Sequence, residues 1–585
     1  MSLPDRATTP DPAPALVLGP LLRYVDETSA TIWVETDRAA VVKVDRGGVT
    51  AEARTFGVHG HHYALVDLEG LEPGSQVEYE VGLDGHPVWP EPGARTPAPV
   101  LATLDLDRPL RLLYGSCRTS VPHDAEGNRA HGVDALRAYA LSLAGLAPDP
   151  DAKRGPDDLA RPDLMLFLGD QVYADETTEE MREFIASRRD LDEPPGEELR
   201  DFEEYAHLYL LAWSDPVNRW LLSTVPSAMI FDDHDVRDDW NTSLSWRRKM
   251  EATSWWHGRI VAALASYWVY QHAGNLSPQE RLEDPLWLQV VKHDGLDELD
   301  LSEALDAFAA EVDRDPEAYR WSYERDLGPQ ARLAVVDSRA ARVLDPDGRA
   351  MLDPAELEWL DHRMRGDVEH LLIGTSVPFL LAPGLHHVEA FSEALAQGAW
   401  GRALGRVGES LRQLVDLEHW AAFQDSFQRV ARMAIEVARG ERGQAPSSVV
   451  FLSGDVHHSY VSQARVAAHP EGTGLRSHLL QAVCSPIRNP LPRSMRFATA
   501  ALSYGVAGPL GRVVSRSAQV PAPPLEWRYL EGPWFDNNVA VLEVDGRTAR
   551  MRWFTGEIVD EQHDLPRLAT VAEHRVEAPV EAPRS

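Results

Sequence analysis

Residues 163–175 read D-L-M-L-F-L-G-D-Q-V-Y-A-D. Leu164, Met165, Leu166, Phe167 and Leu168 form an unbroken apolar run closed by Gly169. A run of that length with a turn residue after it predicts a strand buried on both faces of a parallel sheet. The glycine permits a sharp turn, so Asp170 emerges at the carboxyl end of the strand. In open α/β sheets that edge is where ligands collect. Tyr173 follows three residues later, near enough for its phenol oxygen and the Asp170 carboxylate to share one ion. Carboxylate and phenolate together favour a hard, highly charged cation such as Fe³⁺. Taken alone, the stretch fits equally a plain strand end with an incidental aspartate and a packing tyrosine.

The same arrangement recurs along the chain. The apolar run 110–114 leads into Gly115-Ser116-Cys117-Arg118, and 228–231 leads into Asp232-Asp233-His234-Asp235. The run 449–452 leads into Ser453-Gly454-Asp455-Val456-His457-His458. If these strands are neighbours in one parallel sheet, all four polar clusters open onto the same crevice. Burying so many like charges without a cation is prohibitively costly. Two metal ions suit the number of donors, because one carboxylate can bridge them.

At 585 residues the chain exceeds one ordinary domain. Its 44% hydrophobic and 25% charged content are those of a soluble globular protein. A formal net charge of -35 argues against nucleic acid as a stable partner, since phosphate neutralisation needs basic surface. Two cysteines, Cys117 and Cys484, cannot form a disulfide framework for a chain this long. No apolar run reaches the length of a membrane span. The first residues lack the basic-then-apolar pattern of a secretory signal, so the expected location is the cytoplasm. No oligomeric state follows from the sequence.

Residues 1–15 are rich in proline and aspartate and are expected to be disordered. From 16 to 104 short alternating runs predict a β-sandwich. From 105 to 571 strands alternate with helical patterns, the mark of a layered α/β domain. Further strands are expected at 333–336, 371–374 and 479–483, with helices over 245–272 and 388–439. Residues 539–554, turning at Asp545-Gly546, carry a hairpin signal. The acidic stretches 192–204 and 294–315 read as surface insertions, and 572–585 as a flexible tail.

G-D-x-x-Y-A-D, D-D-H-D and G-D-V-H resemble the blocks of the calcineurin-like metallophosphoesterases. The closest resemblance is to the PhoD-like alkaline phosphatase and phosphodiesterase family. It runs over about 110–460 and includes Val336-Asp337-Ser338-Arg339. The resemblance implies a four-layer α/β/β/α metallophosphoesterase sandwich behind a fibronectin III-like β-sandwich, although Val77 stands where that module carries its corner tyrosine. It also implies phosphoric ester hydrolysis, of monoesters or diesters, in which a dinuclear metal centre activates water for in-line attack on phosphorus.

Carried over residue by residue, Asp170 bridges the ions, and Cys117, Tyr173 and His457 complete a ferric site. Asp233 and Asp455 hold the second ion. That oxygen-rich set suits Ca²⁺, Mn²⁺ or Mg²⁺, with Ca²⁺ implied by the resemblance. His234 protonates the leaving group, with Asp235 raising its basicity if the fold turns the two together. Arg118 and Arg339 are candidate clamps for a small phosphate ester, salt bridging being the alternative for each. The rival reading is a non-catalytic, metal-stabilised binding protein that uses the sandwich for recognition.

Other signals are weaker. Cys484 reads as a buried structural thiol, and His458 as a substrate contact or a satisfied surface histidine. Ser116 lacks a nucleophile elbow. His386 and His387 read as loop residues, and Asp238, Asp239 and Asn241 as caps for a helix near Ser245.

Overall fold

The computed structural model describes residues 13–147, 159–397, 399–400, 418–467, 474–491, 515 and 517–578. Most of the expected disordered leader, the end of the expected tail, and part of the 388–439 pattern lie outside them.

Two sheets build the part of the molecule that carries the polar clusters. In one sheet of six strands, Ser227–Ile230, Leu164–Leu168 and Leu110–Gly115 run parallel. The hairpin Val539–Asp545 and Thr548–Glu557 continues that sheet antiparallel, followed by Arg567–Val576. This last strand extends into the segment expected to be a flexible tail. In a second sheet of seven strands, Ala331–Val336, His370–Thr375, Ser448–Ser453 and His478–Val483 run parallel. The four polar clusters therefore do not follow neighbouring strands of a single sheet. Three follow strands of the first sheet and the Asp455 cluster follows a strand of the second.

Alternation along the strands explains how the two sheets meet. Leu112, Leu164, Leu166 and Leu168 share a buried cluster with Leu333, Val335, Leu372, Val450 and Leu452 of the other sheet. Their neighbours Leu113, Met165, Phe167 and Met229 point the opposite way, into a core with the helices Phe202–Trp213 and Trp256–Tyr267. On the far side of the second sheet, Leu371, Ile373, Val449 and Phe451 pack against Gln424–Arg439. Each strand is thus covered on both faces, which is why these segments are continuous apolar runs. Each fully buried Leu, Val or Phe contributes about 1.5–3 kcal/mol.

Ahead of this body, residues 16–102 form a β-rich region around Leu22, Ile32, Val34, Val42, Val44, Val66 and Val81. One of its sheets, Leu16–Val25, Ser29–Thr36, His61–Glu69 and Phe56–Val58, gains Leu299–Asp300 as a parallel edge strand. The acidic stretch 294–315 is therefore an integrated element, not a surface insertion. Its helix Ser302–Arg314 buries Leu305, Ala309 and Val312. Among the described residues no helix is long and apolar enough to cross a membrane.

The helical pattern 245–272 resolves into Leu244–Glu251, Trp256–Tyr267 and a π-helical turn at Trp268–His272. The side chain of Ser243 caps the first of these by accepting from the Trp246 N–H, so Asp238, Asp239 and Asn241 do not act as its caps. His386 and His387 lie buried on the helix Pro383–Ala396 and not in a loop.

Leu166 is fully buried between the sheets and serves as a test of this packing. Leu166→Ala is expected to lower unfolding free energy by about 2–5 kcal/mol, read from chemical denaturation midpoints. A change under about 1 kcal/mol would mean that the facing sheets do not enclose this side chain.

Candidate metal centre

The carboxyl ends of the central strands point to one place. Gly169, at φ 98°, turns the chain after Leu164–Leu168, and a Cβ there would lie 2.5 Å from Cβ of Asp232. From the other sheet Gly454 comes so close that a Cβ would lie 2.1 Å from Oγ of Ser116. These two glycines let the turns of the two sheets touch.

Four site residues that are not glycine hold left-handed backbone: Cys117 at φ 57°, Asp170 at 50°, Asp455 at 66° and His457 at 49°. Such conformations cost of order 1–3 kcal/mol each and persist only where the surroundings hold them. The surroundings are specific. Asp235 Oδ2 accepts the N–H groups of Asp170 at 2.9 Å and Asp232 at 2.8 Å. Ser116 Oγ accepts the Asp455 N–H at 3.1 Å, and Ser485 Oγ accepts the His457 N–H at 3.1 Å.

One candidate atom each from Cys117, Asp170 and His457 lie within 4.8 Å of one another. The same holds for Asp170, Asp232, Asp233 and Asp455, so Asp170 belongs to both groups. Cys117 Sγ lies 3.3 Å from Oδ2 of Asp170, whose buried Oδ1 has no hydrogen-bond partner. Tyr173 follows Asp170 in the same turn and is buried, with no hydrogen-bond partner for its hydroxyl. Cys117, Asp170 and His457 of the expected first-ion set and Asp170, Asp233 and Asp455 of the expected second-ion set thus come together, with Asp232 added.

Burial dominates the electrostatics. It pushes Asp170 well above the carboxylate range, helped by Cys117 and Asp232. It pushes the Cys117 thiol up to about 12 and the Tyr173 phenol well above its usual value. It lowers His457 to about 4, which leaves the imidazole neutral and able to ligate. Burial pushes Asp455 up, but His419 together with Arg339 and His457 outweighs it and holds the carboxyl below its usual value. Without a cation the cluster must retain protons. With one, thiol, phenol and carboxyls can release them, which is how ligand sets of this type couple to metal. An orphaned buried oxygen, a neutral imidazole, a thiol and converging carboxylates fit a metal centre.

His234 sits at the rim with its side chain 16% exposed. Its Nδ1 is 2.9 Å from Oδ1 of Asp175, and its ring leans on Tyr173 with centroids 4.8 Å apart. Burial opposes a charge on the ring, but Asp175 and then Asp233 outweigh it and raise the pKa well above the usual histidine value. Asp235 does not pair with His234, contrary to expectation. Its oxygens are turned inward to the Asp170 and Asp232 amides and to Gln271. Asp175, the last letter of the G-D-x-x-Y-A-D block, holds that place instead.

The two candidate phosphate clamps are committed elsewhere. Arg118 is buried, with Nε and Nη2 on Asp134 at 3.0 and 2.8 Å and Nη1 on the Ala212 carbonyl. Arg339 is fully buried among the carboxylates, bonded to Asp232, 3.1 Å from Asp233 and 2.5 Å from Glu418. It balances charge inside the cluster, and neither arginine opens to a ligand.

His419 was not singled out by sequence. Its Nε2 meets Asp455 Oδ2 at 2.9 Å and its Nδ1 meets Glu389 at 2.6 Å, so it orients the Asp455 carboxylate. His458 is satisfied by the Val456 carbonyl at 2.7 Å. Ser116 is spent on Asp455, and Cys484 is a buried free thiol near the Asn538 carbonyl.

A family model described as PhoD-like phosphatase matches residues 153–501, more than half of the chain. A model described as a domain of unknown function (DUF7800) matches residues 13–101. The solved structure described as "Structure of PhoD" superposes with a TM-score of 0.57 at 13% identity, over 98% of this chain and 92% of that one. That likeness shows a shared fold. The type III pullulan hydrolase from Thermococcus kodakarensis overlaps with a TM-score of 0.13 at 10% identity, over 93% of this chain and 95% of that one, which is no structural likeness. No curated protein matches the chain.

Binding of a cation to the folded state alone must raise its stability. Protein loaded with metal is expected to unfold at a higher temperature than protein stripped by chelator, and Asp170→Asn is expected to shrink that difference. Identical melting curves with and without metal for the native chain would contradict the assignment.

Proposed function

Because the chain belongs to the PhoD-like phosphatase family, we propose that it hydrolyses phosphoric esters, monoesters or diesters, at a centre of two metal ions. The observation that carries this reading is the meeting of a thiol, an imidazole and four carboxylates beside a histidine held by its own aspartate. Cys117, Asp170, Tyr173 and His457 would hold Fe³⁺, since thiolate and phenolate favour the trivalent state. Asp170, Asp233 and Asp455 would hold the second ion with Asp232 beside them, an oxygen-rich set suited to Ca²⁺, Mn²⁺ or Mg²⁺. Ions bound there supply Lewis acidity toward phosphoryl oxygens and activate water for in-line attack.

The protein's own residues handle the other side of the reaction. Asp175 keeps His234 protonated and occupies Nδ1, so the proton for transfer sits on Nε2. As the phosphorus–oxygen bond breaks, Nε2 gives that proton to the departing alkoxide. Arg339 keeps Asp232, Asp233 and Glu418 in place by charge-assisted contacts. A protonated histidine at the rim has no task in a purely metal-stabilised binding protein, and this favours catalysis over that rival.

The two facing sheets with helices outside them support a four-layer α/β/β/α sandwich as the catalytic domain, spanning about 105–571. The β-rich region 16–104 is read as a fibronectin III-like sandwich. Two free thiols and no disulfide among the described residues accord with a reducing, cytoplasmic setting. The partner is a small phosphate ester.

Turnover of p-nitrophenyl phosphate or bis-p-nitrophenyl phosphate is expected with added metal and not with chelator; no turnover under any metal condition would reject the reading. His234→Ala is expected to lose about 10²–10⁴-fold in kcat while retaining bound metal. Asp175→Asn removes the charge that raises the His234 pKa. The alkaline limb of the kcat profile, where the acid is lost, should therefore move to lower pH. An unmoved limb would remove His234 as the proton donor.

A further inference from the structure

The π-helical turn Trp268–His272 joins the β-rich amino-terminal region to the metal centre. Its pattern is set by the Ala273 N–H reaching back to the Trp268 carbonyl. The carbonyls of the next three residues accept bonds from side chains of the amino-terminal region. Trp33 Nε1 donates to Val269 O at 3.0 Å, Arg23 Nη1 to Tyr270 O at 2.6 Å, and Arg23 Nη2 to Gln271 O at 2.6 Å. π-bulges often mark functional sites.

Arg23 is fully buried and makes two further bonds. Nε donates to the Ser227 carbonyl at 3.2 Å, and Nη2 to Asn275 Oδ1 at 3.1 Å. Asn275 in turn brackets Met229, accepting from its N–H at 2.9 Å and donating to its carbonyl at 2.6 Å. Ser227 and Met229 belong to the strand that delivers Asp232 and Asp233. Gly274 makes room for the guanidinium, since a Cβ there would lie 2.7 Å from Arg23 Nε.

The line continues from the turn into the site. Gln271 Nε2 donates to Tyr209 Oη at 2.9 Å and to Asp235 Oδ1 at 3.2 Å. The other oxygen of Asp235 holds the amides of Asp170 and Asp232. A side chain of the amino-terminal region is thus two hydrogen-bonded residues away from the left-handed turn at Asp170.

We propose that Arg23 and Gln271 are positioning residues through which the amino-terminal region holds the Asp170 and Asp232 turns in their reactive conformation. The proposal rests on the assignment of those turns to the metal centre. It gives the β-rich region a task in the reaction: it braces the site through the π turn without touching substrate. A bidentate guanidinium on two adjacent carbonyls suits the task, because its planar fork fixes their direction as well as their distance.

Arg23→Met and Gln271→Leu test it, with Tyr79→Phe as control. Tyr79 bonds across the same interface, to the Ser223 carbonyl at 2.7 Å, and lies off this line. Two readouts are taken on folded protein: amide hydrogen exchange over 169–173 and 231–236, and kcat and KM for p-nitrophenyl phosphate. Both variants on the line are expected to exchange faster at those turns and to lose about tenfold or more in kcat with KM little changed. Tyr79→Phe is expected to change neither. Wild-type exchange and kcat in Gln271→Leu would overturn the proposal even if Arg23→Met fails to fold. So would equal losses in Tyr79→Phe, which would reduce the effect to general docking. If the native chain has no turnover, the exchange arm still decides the proposal while the hydrolase reading alone fails.

Discussion

Asp170, Asp232, Asp233 and Asp455 crowd into one volume around the guanidinium of Arg339. At an effective dielectric of about 20, two like charges 4 Å apart repel by about 4 kcal/mol. Four carboxylates make several such pairs, against a total stability of only about 5–15 kcal/mol for a typical domain. The cluster must therefore take up protons or cations. The upward shifts of Asp170, Asp232 and Asp233, each dominated by burial, are the proton answer. Bound cations are the other, and only they make use of Cys117, Tyr173 and His457 as well.

The fold explains why this crowding exists. Two sheets with shared apolar contents bring their parallel strands to a common edge, where the turns after Gly115, Leu168, Ile230 and Ser453 carry a thiol, acids and an imidazole. Apolar burial between the sheets and beneath the helices stabilises the frame. Short, specific bonds from Ser116, Asp235 and Ser485 then hold the strained turns. Asp235 is central to that support because one carboxylate oxygen serves two of the turns. Its own orientation comes from Gln271, and through the π turn from a region nearly two hundred and fifty residues earlier in the chain.

Much of this was legible in the sequence, for a definite reason. A strand buried on both faces writes itself as a continuous apolar run, and a turn at the crowded edge writes itself as the polar residues that follow. Cys117, Asp170, Tyr173, Asp233, Asp455 and His457 were all readable in that way. What sequence could not supply was the direction in which each side chain turns. Asp235 is adjacent to His234 and faces inward, whereas Asp175, 59 residues away, is its partner. Arg118 and Arg339 carry the right chemistry for phosphate but are spent on Asp134 and on the carboxylate cluster. His419 lies inside the stretch 388–439 that reads as helical in sequence, so nothing local marked it. The assumption of one sheet failed because identical apolar runs serve either of two sheets that face each other.

The central claim is that Cys117, Asp170 and His457 ligate one cation, and X-ray absorption at the edge of the bound metal tests it most directly. For the native chain the spectrum should contain one sulfur scatterer together with nitrogen and oxygen neighbours. In Cys117→Ala the sulfur should be gone. A native spectrum without sulfur, or one that Cys117→Ala leaves unchanged, would contradict the account.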